Sequence, residues 1–182
     1  AAIAAWQKAH EGACIEVVVN NAGIRDDVLM MWMEPQQWHS VIGTSLDGFY
    51  NVTRPLLKGM LVNRFGRIVN IVSLSGIKGL PGQANYAAAK GGVAQMTKCM
   101  SNDLLACGVN VNSIAPGYFA TDMNEALLDP SNYRYKEICD RIPAHRWGEP
   151  ADMKGACLFL ASHASDYLGG AILPVDGGYL CK

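Results

Sequence analysis

The chain has 182 residues, half of them hydrophobic, and its 15 basic and 16 acidic side chains leave a net charge of −1. A nucleic-acid-binding protein shows a basic face, so this balance predicts no nucleic-acid partner. No apolar run reaches the roughly 18 residues of a membrane-spanning helix, so we expect no membrane partner. The length is typical of one domain, which we expect to span residues 1–182.

Short apolar runs alternate with helix-periodic segments along the chain. The apolar runs predict strands at residues 14–19, 67–72, 109–114 and 171–175. The periodic segments predict helices at residues 1–11, 36–63, 85–107 and 150–162, and short helical pieces at 124–142. Apolar strands separated by helices are typical of a parallel sheet that is covered on both faces. The sequence therefore predicts a doubly wound α/β fold.

Small and polar residues follow three of the predicted strands. Asn-Asn-Ala-Gly occupies residues 20–23, Ser-Leu-Ser-Gly occupies residues 73–76, and Ala-Pro-Gly occupies residues 115–117. In doubly wound sheets, ligands bind beyond the carboxyl ends of the strands. We therefore expect these three segments to meet at one binding site.

Tyr86 and Lys90 are four residues apart in a predicted helix, so they lie on the same face, one turn apart. A phenol has an ordinary pKa of about 10, which is too high for ready proton exchange at neutral pH. A nearby ammonium stabilises the phenolate and lowers that pKa. The pair is therefore a candidate general acid–base, and a strand-end hydroxyl, Ser73 or Ser75, is a candidate partner for a substrate oxygen.

Taken together, these motifs resemble the short-chain dehydrogenase/reductase family. Asn-Ala-Gly follows one strand, Ser73 precedes Tyr-x-x-x-Lys by thirteen residues, and Pro-Gly follows the next strand. The resemblance extends over residues 15–178. It implies a Rossmann-like, three-layer α/β/α fold and NADP or NAD as cofactor. It also implies an oxidoreductase that transfers a hydride between the nicotinamide and a carbonyl or secondary-alcohol carbon.

The resemblance implies a role for each matching residue. Tyr86 is expected to give and take the proton, Lys90 to lower the pKa of Tyr86 and hold the nicotinamide ribose, and Ser73 to orient the substrate. A further catalytic candidate is Ser45 in Thr-Ser-Leu at residues 44–46, where the family has an asparagine that binds a water molecule. The expected cofactor-binding residues are Asn21, Ala22, Gly23, Tyr86, Lys90, Pro116, Gly117, Phe119 and Thr121.

The glycine-rich phosphate turn of the family has no counterpart in this sequence. No two of the 19 glycines are two residues apart, so neither Gly-x-x-x-Gly-x-Gly nor Gly-x-Gly-x-x-Gly occurs. We therefore expect a single, N-terminally incomplete domain that lacks the first βαβ region. That region carries the pyrophosphate contacts. The chain is then either part of a longer protein or a truncated form that binds cofactor poorly.

Two subfamilies share the resemblance. The similarity to β-ketoacyl-carrier-protein reductases, enzymes of fatty acid biosynthesis, is carried by residues 20–26, 64–68 and 81–90. The similarity to deoxygluconate (sugar-acid) dehydrogenases is carried by residues 114–118, 140–148, 164–167 and 175–178. The substrate is accordingly a carrier-protein-bound or a small-molecule carbonyl. We expect a 3-oxoacyl-carrier-protein reductase, with a sugar-acid dehydrogenase as the alternative.

Single residues support each alternative. Arg64 matches a position that contacts the acidic carrier protein, whereas Cys107 stands at the second such position and weakens this interpretation. His145, Arg146 and Trp147 are candidates for binding a carboxylate or a sugar. The alternative for these three residues is subunit packing together with a surface arginine.

The family also implies an assembly and a compartment. Its two long helices pair between subunits, which predicts a homodimer or homotetramer. A hypothesis from another class is a catalytically inactive, self-associating fragment. Six cysteines without a Cys-x-x-Cys pair are typical of thiols in a reducing compartment, which predicts a cytoplasmic protein. The four histidines show no i, i+4 spacing, so no metal site is expected.

Overall fold

The computed structural model describes residues 2–181. Its strands are β1 (Val17–Asn20), β2 (Gly66–Ile71), β3 (Val109–Pro116) and β4 (Ile172–Val175). Its α-helices are α1 (Ala2–Ala9), α2 (Pro35–Ile42), α3 (Gly48–Asn63), α4 (Ala84–Leu104), α5 (Tyr133–Arg141) and α6 (Lys154–Ala161). Every predicted strand is present and every predicted helical segment contains a helix, so the predicted α/β class is confirmed.

The four strands form one parallel sheet in the order β1-β2-β3-β4. Val18 pairs with Ile68, which pairs in turn with Val111, so a row of branched apolar side chains crosses the sheet. β1 begins later than predicted because its register places Val17 opposite Arg67, near the beginning of β2. Directly upstream, the Glu16 carbonyl accepts a hydrogen bond from the Arg67 amide (2.8 Å), but the strand itself begins only at Val17.

Successive side chains of a strand point to opposite faces of the sheet. Ile68 packs with Leu56 of α3 and Leu104 of α4 on one face. Val69 packs with Leu160 of α6 on the other face. The sheet is therefore the middle of three layers, as a doubly wound fold requires. Because the sheet grows in one direction throughout, the connection through α6 has the opposite hand to those through α3 and α4.

The long second helix that the sequence predicts is interrupted. α2 begins at Pro35, and a capping box between Glu34 and Gln37 satisfies its first turn. A π-helical turn, Gly43–Asp47, then separates α2 from α3. Such turns are rare and occur frequently at functional sites. This one carries Ser45, a catalytic candidate.

The longest helix, α4, approaches the end of α3 in its own layer closely at its C-terminal end. It continues into a short 3-10 turn that ends at Gly108, which has a φ of +85°. A Cβ at this position would lie 2.1 Å from the carbonyl oxygen of Arg64, at the end of α3. Only glycine permits this approach, which fixes the position of α4 beside α3.

The remaining helical segments lie where the sequence predicts them. The pieces predicted at 124–142 are a 3-10 segment, Asp122–Leu127, followed by α5. Asn132 caps α5 by accepting a hydrogen bond from the Arg134 amide. Pro150 opens a 3-10 turn that leads into α6, as a proline at a first helical position predicts.

Candidate active site

A cavity of about 640 Å³ lies at the carboxyl ends of β1, β2 and β3. The predicted site residues that line it are Asn21, Ala22, Gly23, Ser73, Tyr86, Lys90, Pro116, Gly117, Phe119 and Thr121. Ser45 is the exception among the predicted residues, since it lines a smaller cavity of about 140 Å³ that shares Lys90. The loops that follow the three strands therefore do meet, as the sequence predicts.

The N-terminal half of α4 carries Tyr86 and Lys90 into this cavity. Asn85 anchors the first turn, because its side chain accepts the Tyr86 amide (2.8 Å) and donates to the carbonyl of Asp26 (3.0 Å). The Lys90 Nζ donates to the carbonyl of Ile71 at the end of β2 (2.7 Å) and lies 5.8 Å from the centre of the Tyr86 ring. The phenol and the ammonium are therefore both held by the protein at fixed positions.

The protonation of Tyr86 differs from the expectation. Burial raises the pKa of Tyr86 above 10.0, and the neighbouring Ser73 hydroxyl and the charge of Arg25 only partly oppose that rise. Burial also lowers the pKa of Lys90 to about 8. The Lys90 ammonium meanwhile donates to the Ile71 carbonyl. At neutral pH the tyrosine therefore holds its proton, which suits a donor to a carbonyl oxygen.

Ser73 is supported by a chain of hydrogen bonds. Its Oγ accepts the Ser75 amide (3.2 Å), and the Ser75 hydroxyl donates to Oε1 of Gln83 (2.5 Å). Gln83 in turn donates to the carboxylate of Asp27 (2.8 Å). The Ser75 hydroxyl is thus occupied by Gln83, whereas the Ser73 hydroxyl faces Tyr86. Of the two strand-end serines, Ser73 is the one available to a substrate oxygen.

Ser45 sits behind Lys90 and does not face the main cavity. It is 4% exposed, and its hydroxyl has no hydrogen-bond partner within residues 2–181. A Cβ at Gly23 would lie 3.4 Å from the Ser45 Oγ and 3.1 Å from the Lys90 Nζ. The Gly23 backbone therefore passes close to both groups, and any side chain there would press on them.

These residues fit the nicotinamide–ribose end of a dinucleotide. Lys90 uses one of its three N–H donors on Ile71, which leaves two for ribose hydroxyls. Phe119 and Thr121 form the opposite wall of the cavity. Gly117 allows that wall to approach the end of the sheet, because a Cβ there would lie 2.7 Å from the Cα of Asp176.

The structure adds residues to the site that sequence reasoning missed. Arg25, Gln83 and Tyr118 all line the main cavity. Burial and the neighbouring Tyr179 raise the pKa of Tyr118 to about 12, so this phenol stays neutral. Arg25 lies two residues after the Asn-Ala-Gly turn that follows β1. A charged residue in a loop that follows a strand of a parallel sheet is the sequence signal that could have identified Arg25 as a site residue.

The three candidates at residues 145–147 behave differently from one another. Arg146 forms a two-pronged ion pair with Asp152 (2.7 and 3.1 Å) at the surface. Trp147 is buried and packs edge-on against Tyr118 at a centroid distance of 5.5 Å. Within the chain, Arg146 therefore has a carboxylate partner and Trp147 has a packing partner.

The described part of the chain offers neither a metal site nor a membrane-spanning helix. Among residues 2–181, no three His, Cys, Asp or Glu side chains form a group that could hold a metal ion. No helix in this range is long and apolar enough to cross a bilayer. All six cysteines are free thiols.

A family model described as Enoyl-(Acyl carrier protein) reductase matches residues 1–180. The chain therefore belongs to the short-chain dehydrogenase/reductase family. It is 45% identical over 168 residues to a 3-oxoacyl-[acyl-carrier-protein] reductase of Chlamydia muridarum, an alignment that covers 92% of this chain and 66% of the relative. The chain thus spans just under two thirds of that relative's length.

Other relatives and solved structures carry different substrate names. An acetoacetyl-CoA reductase of Shinella zoogloeoides is 43% identical over 90% of this chain and 67% of the relative. The crystal structure of a gluconate 5-dehydrogenase from Burkholderia cenocepacia, in complex with NADP and tartrate, superposes with a TM-score of 0.94 at 39% identity. That match covers 100% of this chain and 70% of the other. The family is therefore certain, whereas its members differ in substrate.

Proposed function

We propose that the protein is an NAD(P)-dependent oxidoreductase that interconverts a carbonyl compound and a secondary alcohol. The observation that carries this proposal is the meeting of Tyr86, Ser73 and Lys90 in one cavity at the carboxyl ends of the strands. The NADP-bound state of a 39% identical structure supports the choice of cofactor. NADP and NAD are both retained as candidates.

The residues of the cavity divide the reaction between them. Bound nicotinamide supplies the hydride to the carbonyl carbon during reduction and takes it up during oxidation. Ser73 donates a hydrogen bond to the reacting oxygen, and Tyr86 gives that oxygen its proton. Because its pKa is raised, Tyr86 is protonated before the reaction begins. Lys90 holds the ribose and stabilises the phenolate that forms when the proton leaves.

A 3-oxoacyl thioester is the substrate we place first. The support is the similarity to 3-oxoacyl-[acyl-carrier-protein] and acetoacetyl-CoA reductases at 43–45% identity. Arg64 is exposed at the end of α3, with its guanidinium near the carbonyl of Ala106 (3.3 Å), where an acidic carrier protein has access to it. The corresponding role is a reductive step of fatty acid biosynthesis.

A sugar-acid dehydrogenase is the second candidate. It is supported by the superposition on a gluconate 5-dehydrogenase over the whole chain. The cavity also contains a cation, Arg25, that a neutral acyl chain does not require. The two candidates share the same hydride and proton steps and differ only in what the rest of the cavity binds.

We also propose a homo-oligomer, a dimer or tetramer, in the cytoplasm. The exposed face of α3 carries apolar side chains that an isologous interface would cover; these are Tyr50, Val52, Leu61 and Val62. The free thiols support a reducing compartment. The competing hypothesis is a self-associating chain without catalysis, which the following experiment separates from the enzyme.

The test combines cofactor binding with one substitution. We expect NADPH or NADH to bind saturably, as followed by nicotinamide fluorescence. Tyr86→Phe removes only the hydroxyl, so turnover of a ketoacyl thioester or keto sugar acid should fall at least about 100-fold, with the folded structure unchanged. Retained turnover in Tyr86→Phe would refute the assigned proton donor. A folded protein that binds neither nucleotide would leave the self-associating hypothesis standing.

A further inference from the structure

Arg25 places a cation in the wall of the cavity that holds Tyr86 and Ser73. It lies in the loop after β1, and its side chain is 22% exposed, so the guanidinium is largely withdrawn from solvent. Its charge acts on both Tyr86 and Tyr118, lowering the pKa of each. The guanidinium lines the same cavity as both phenols.

The guanidinium has more donors than the protein uses. One Nη2 proton is donated to the carbonyl of Met123 (3.2 Å). The buried Nε has no hydrogen-bond partner within the described residues, and its closest carboxylate oxygen, on Asp27, is 3.6 Å away. Because an arginine side chain offers five N–H donors and the enclosed Nε is only one of them, the Nη donors that Met123 does not use are those available to a ligand in the cavity.

Asp27 does not neutralise this arginine closely. The same Asp27 oxygen accepts a hydrogen bond from Gln83 at 2.8 Å, which draws it into the network behind Ser73. Asp27 therefore orients Arg25 from 3.6 Å without occupying the Nε proton. A second carboxylate, Asp122, also lines the cavity. A fork of donors held in this way matches the two oxygens of a carboxylate.

We infer that Arg25 binds a carboxylate on the substrate, so that the protein acts on an oxo acid or hydroxy acid. This inference rests on the proposed carbonyl–alcohol chemistry and favours the second of its two substrate candidates, the sugar-acid type, over the 3-oxoacyl thioester. Tyr86 and Ser73 hold the reacting oxygen, and Arg25 holds the acid group from the β1 side. The anion of a dinucleotide is the other possible source of negative charge, and the test separates the two.

The experiment compares one oxo acid with its neutral ester. The protein is assayed with acetoacetate and with ethyl acetoacetate under saturating NADPH or NADH, for wild type, Arg25→Gln and Arg25→Lys. We expect Arg25→Gln to raise the KM for acetoacetate at least tenfold and to change the KM for the ester less than twofold. Tenfold corresponds to about 1.4 kcal/mol. Arg25→Lys keeps the charge without the fork and should fall between wild type and Arg25→Gln.

Two controls distinguish a carboxylate contact from a general loss of positive charge and from a cofactor contact. Arg134→Gln removes an exposed arginine from α5, outside the cavity, and should leave both KM values unchanged. Nucleotide affinity, measured by nicotinamide fluorescence, should be the same in wild type and Arg25→Gln. A loss of nucleotide affinity in Arg25→Gln would overturn the inference, because the arginine would then bind the cofactor.

The remaining outcomes are equally distinct. An equal loss of kcat on both compounds, with the basic limb of the pH profile moved upward, would overturn the inference, because Arg25 would then act on the pKa of Tyr86. An unchanged KM for acetoacetate would overturn it directly while leaving the proposed function intact. A wild-type protein that binds nucleotide but reduces neither these two compounds nor a ketoacyl thioester or keto sugar acid would refute the proposed function itself, and the carboxylate subsite with it.

Discussion

The two ends of the sheet treat their buried polar groups in opposite ways. At the amino end, Arg67 of β2 is 2% exposed and donates to Asn110 (2.8 Å), to the carbonyl of Ser162 (3.3 Å) and to Asp166. At the carboxyl end, the Ser45 hydroxyl and the Arg25 Nε are buried without any hydrogen-bond partner in residues 2–181. The same kinds of groups are saturated at one end and left open at the other.

This difference distinguishes buried polar groups that stabilise the fold from those that are available to a ligand. A buried donor without an acceptor costs about 1–3 kcal/mol, so it persists where something outside the chain compensates. The amide of Asn110 shows the saturated case, because it donates to the carbonyls of Asp166 (3.0 Å) and Leu168 (2.9 Å) as well as accepting from Arg67. At the carboxyl end the charge of Lys90 is buried beside a cavity, and its pKa falls to about 8.

The largest stability effect should come from the saturated end. Replacing Arg67 by methionine leaves the Asn110 oxygen and the Ser162 carbonyl without their donor, so we expect a loss of about 2–4 kcal/mol in the free energy of unfolding. Urea unfolding at pH 7 measures it. The matched control is Lys136→Met, which breaks an exposed pair with Asp140 and should change stability by less than about 0.5 kcal/mol. Equal effects in the two variants would contradict the contrast.

Lys90→Met should stabilise the folded protein, whereas replacing Arg67 by methionine should destabilise it. The pKa of Lys90 is depressed from 10.5 to about 8 because the folded state buries its charge. A depression of this size corresponds to roughly 3 kcal/mol, and the lost hydrogen bond to the Ile71 carbonyl offsets about 1 kcal/mol of it. We therefore expect the free energy of unfolding of Lys90→Met to be about 1–2 kcal/mol higher than that of wild type at pH 7. We also expect this variant to lose turnover.

The pH dependence of that difference checks its cause. Between pH 8 and 10.5 the unfolded chain still holds the Lys90 proton that the folded protein has released. The unfolded state then binds more protons, so wild-type stability rises with pH through this window. Lys90→Met lacks this rise, and its advantage should vanish by about pH 10.5. A difference that stays constant from pH 7 to pH 10 would show that burial of the charge is not the cause.

Much of this arrangement follows from sequence patterns, and the reasons are local. Tyr86 and Lys90 are one helical turn apart in any α-helix, so their shared face is fixed by spacing alone. The strand-end motifs meet because parallel strands deliver their carboxyl ends to one edge. These features depend on chain periodicity, which a single sequence displays.

What the sequence missed depends on contacts between distant residues. The π turn at Gly43–Asp47 leaves no periodic signal, because both flanking helices keep their apolar faces. The rise in the Tyr86 pKa comes from burial by surrounding residues, which the spacing of Tyr86 and Lys90 along the helix does not reveal. The role of Arg25 emerges only once the loop after β1 lies against Met123. Contacts between residues that are far apart in the sequence cannot be predicted from the periodicity of a single segment.

The smallest stability effect should be found at Ser45. Removing its unpartnered hydroxyl in Ser45→Ala should not lower the free energy of unfolding and should raise it by up to about 1 kcal/mol, because a buried polar group without a partner is removed and no hydrogen bond within the described chain is lost. The matched variant is Ser113→Ala, the same chemical change at a fully buried hydroxyl that bonds Thr97 at 2.7 Å. That change should cost about 1–1.5 kcal/mol. Urea unfolding compares the two.

Ser45 and Ser113 should rank in the opposite order when nucleotide affinity is measured instead of stability. If the Ser45 hydroxyl is held open for a ligand beside Lys90, Ser45→Ala should weaken NADPH or NADH binding by about 3–10-fold, the value of one hydrogen bond. Ser113 lies in the core between β3 and α4, so Ser113→Ala should leave nucleotide affinity unchanged. Nicotinamide fluorescence gives both affinities. A Ser45→Ala protein that is as destabilised as Ser113→Ala and binds nucleotide normally would make Ser45 a structural residue and remove it from the open end of the sheet.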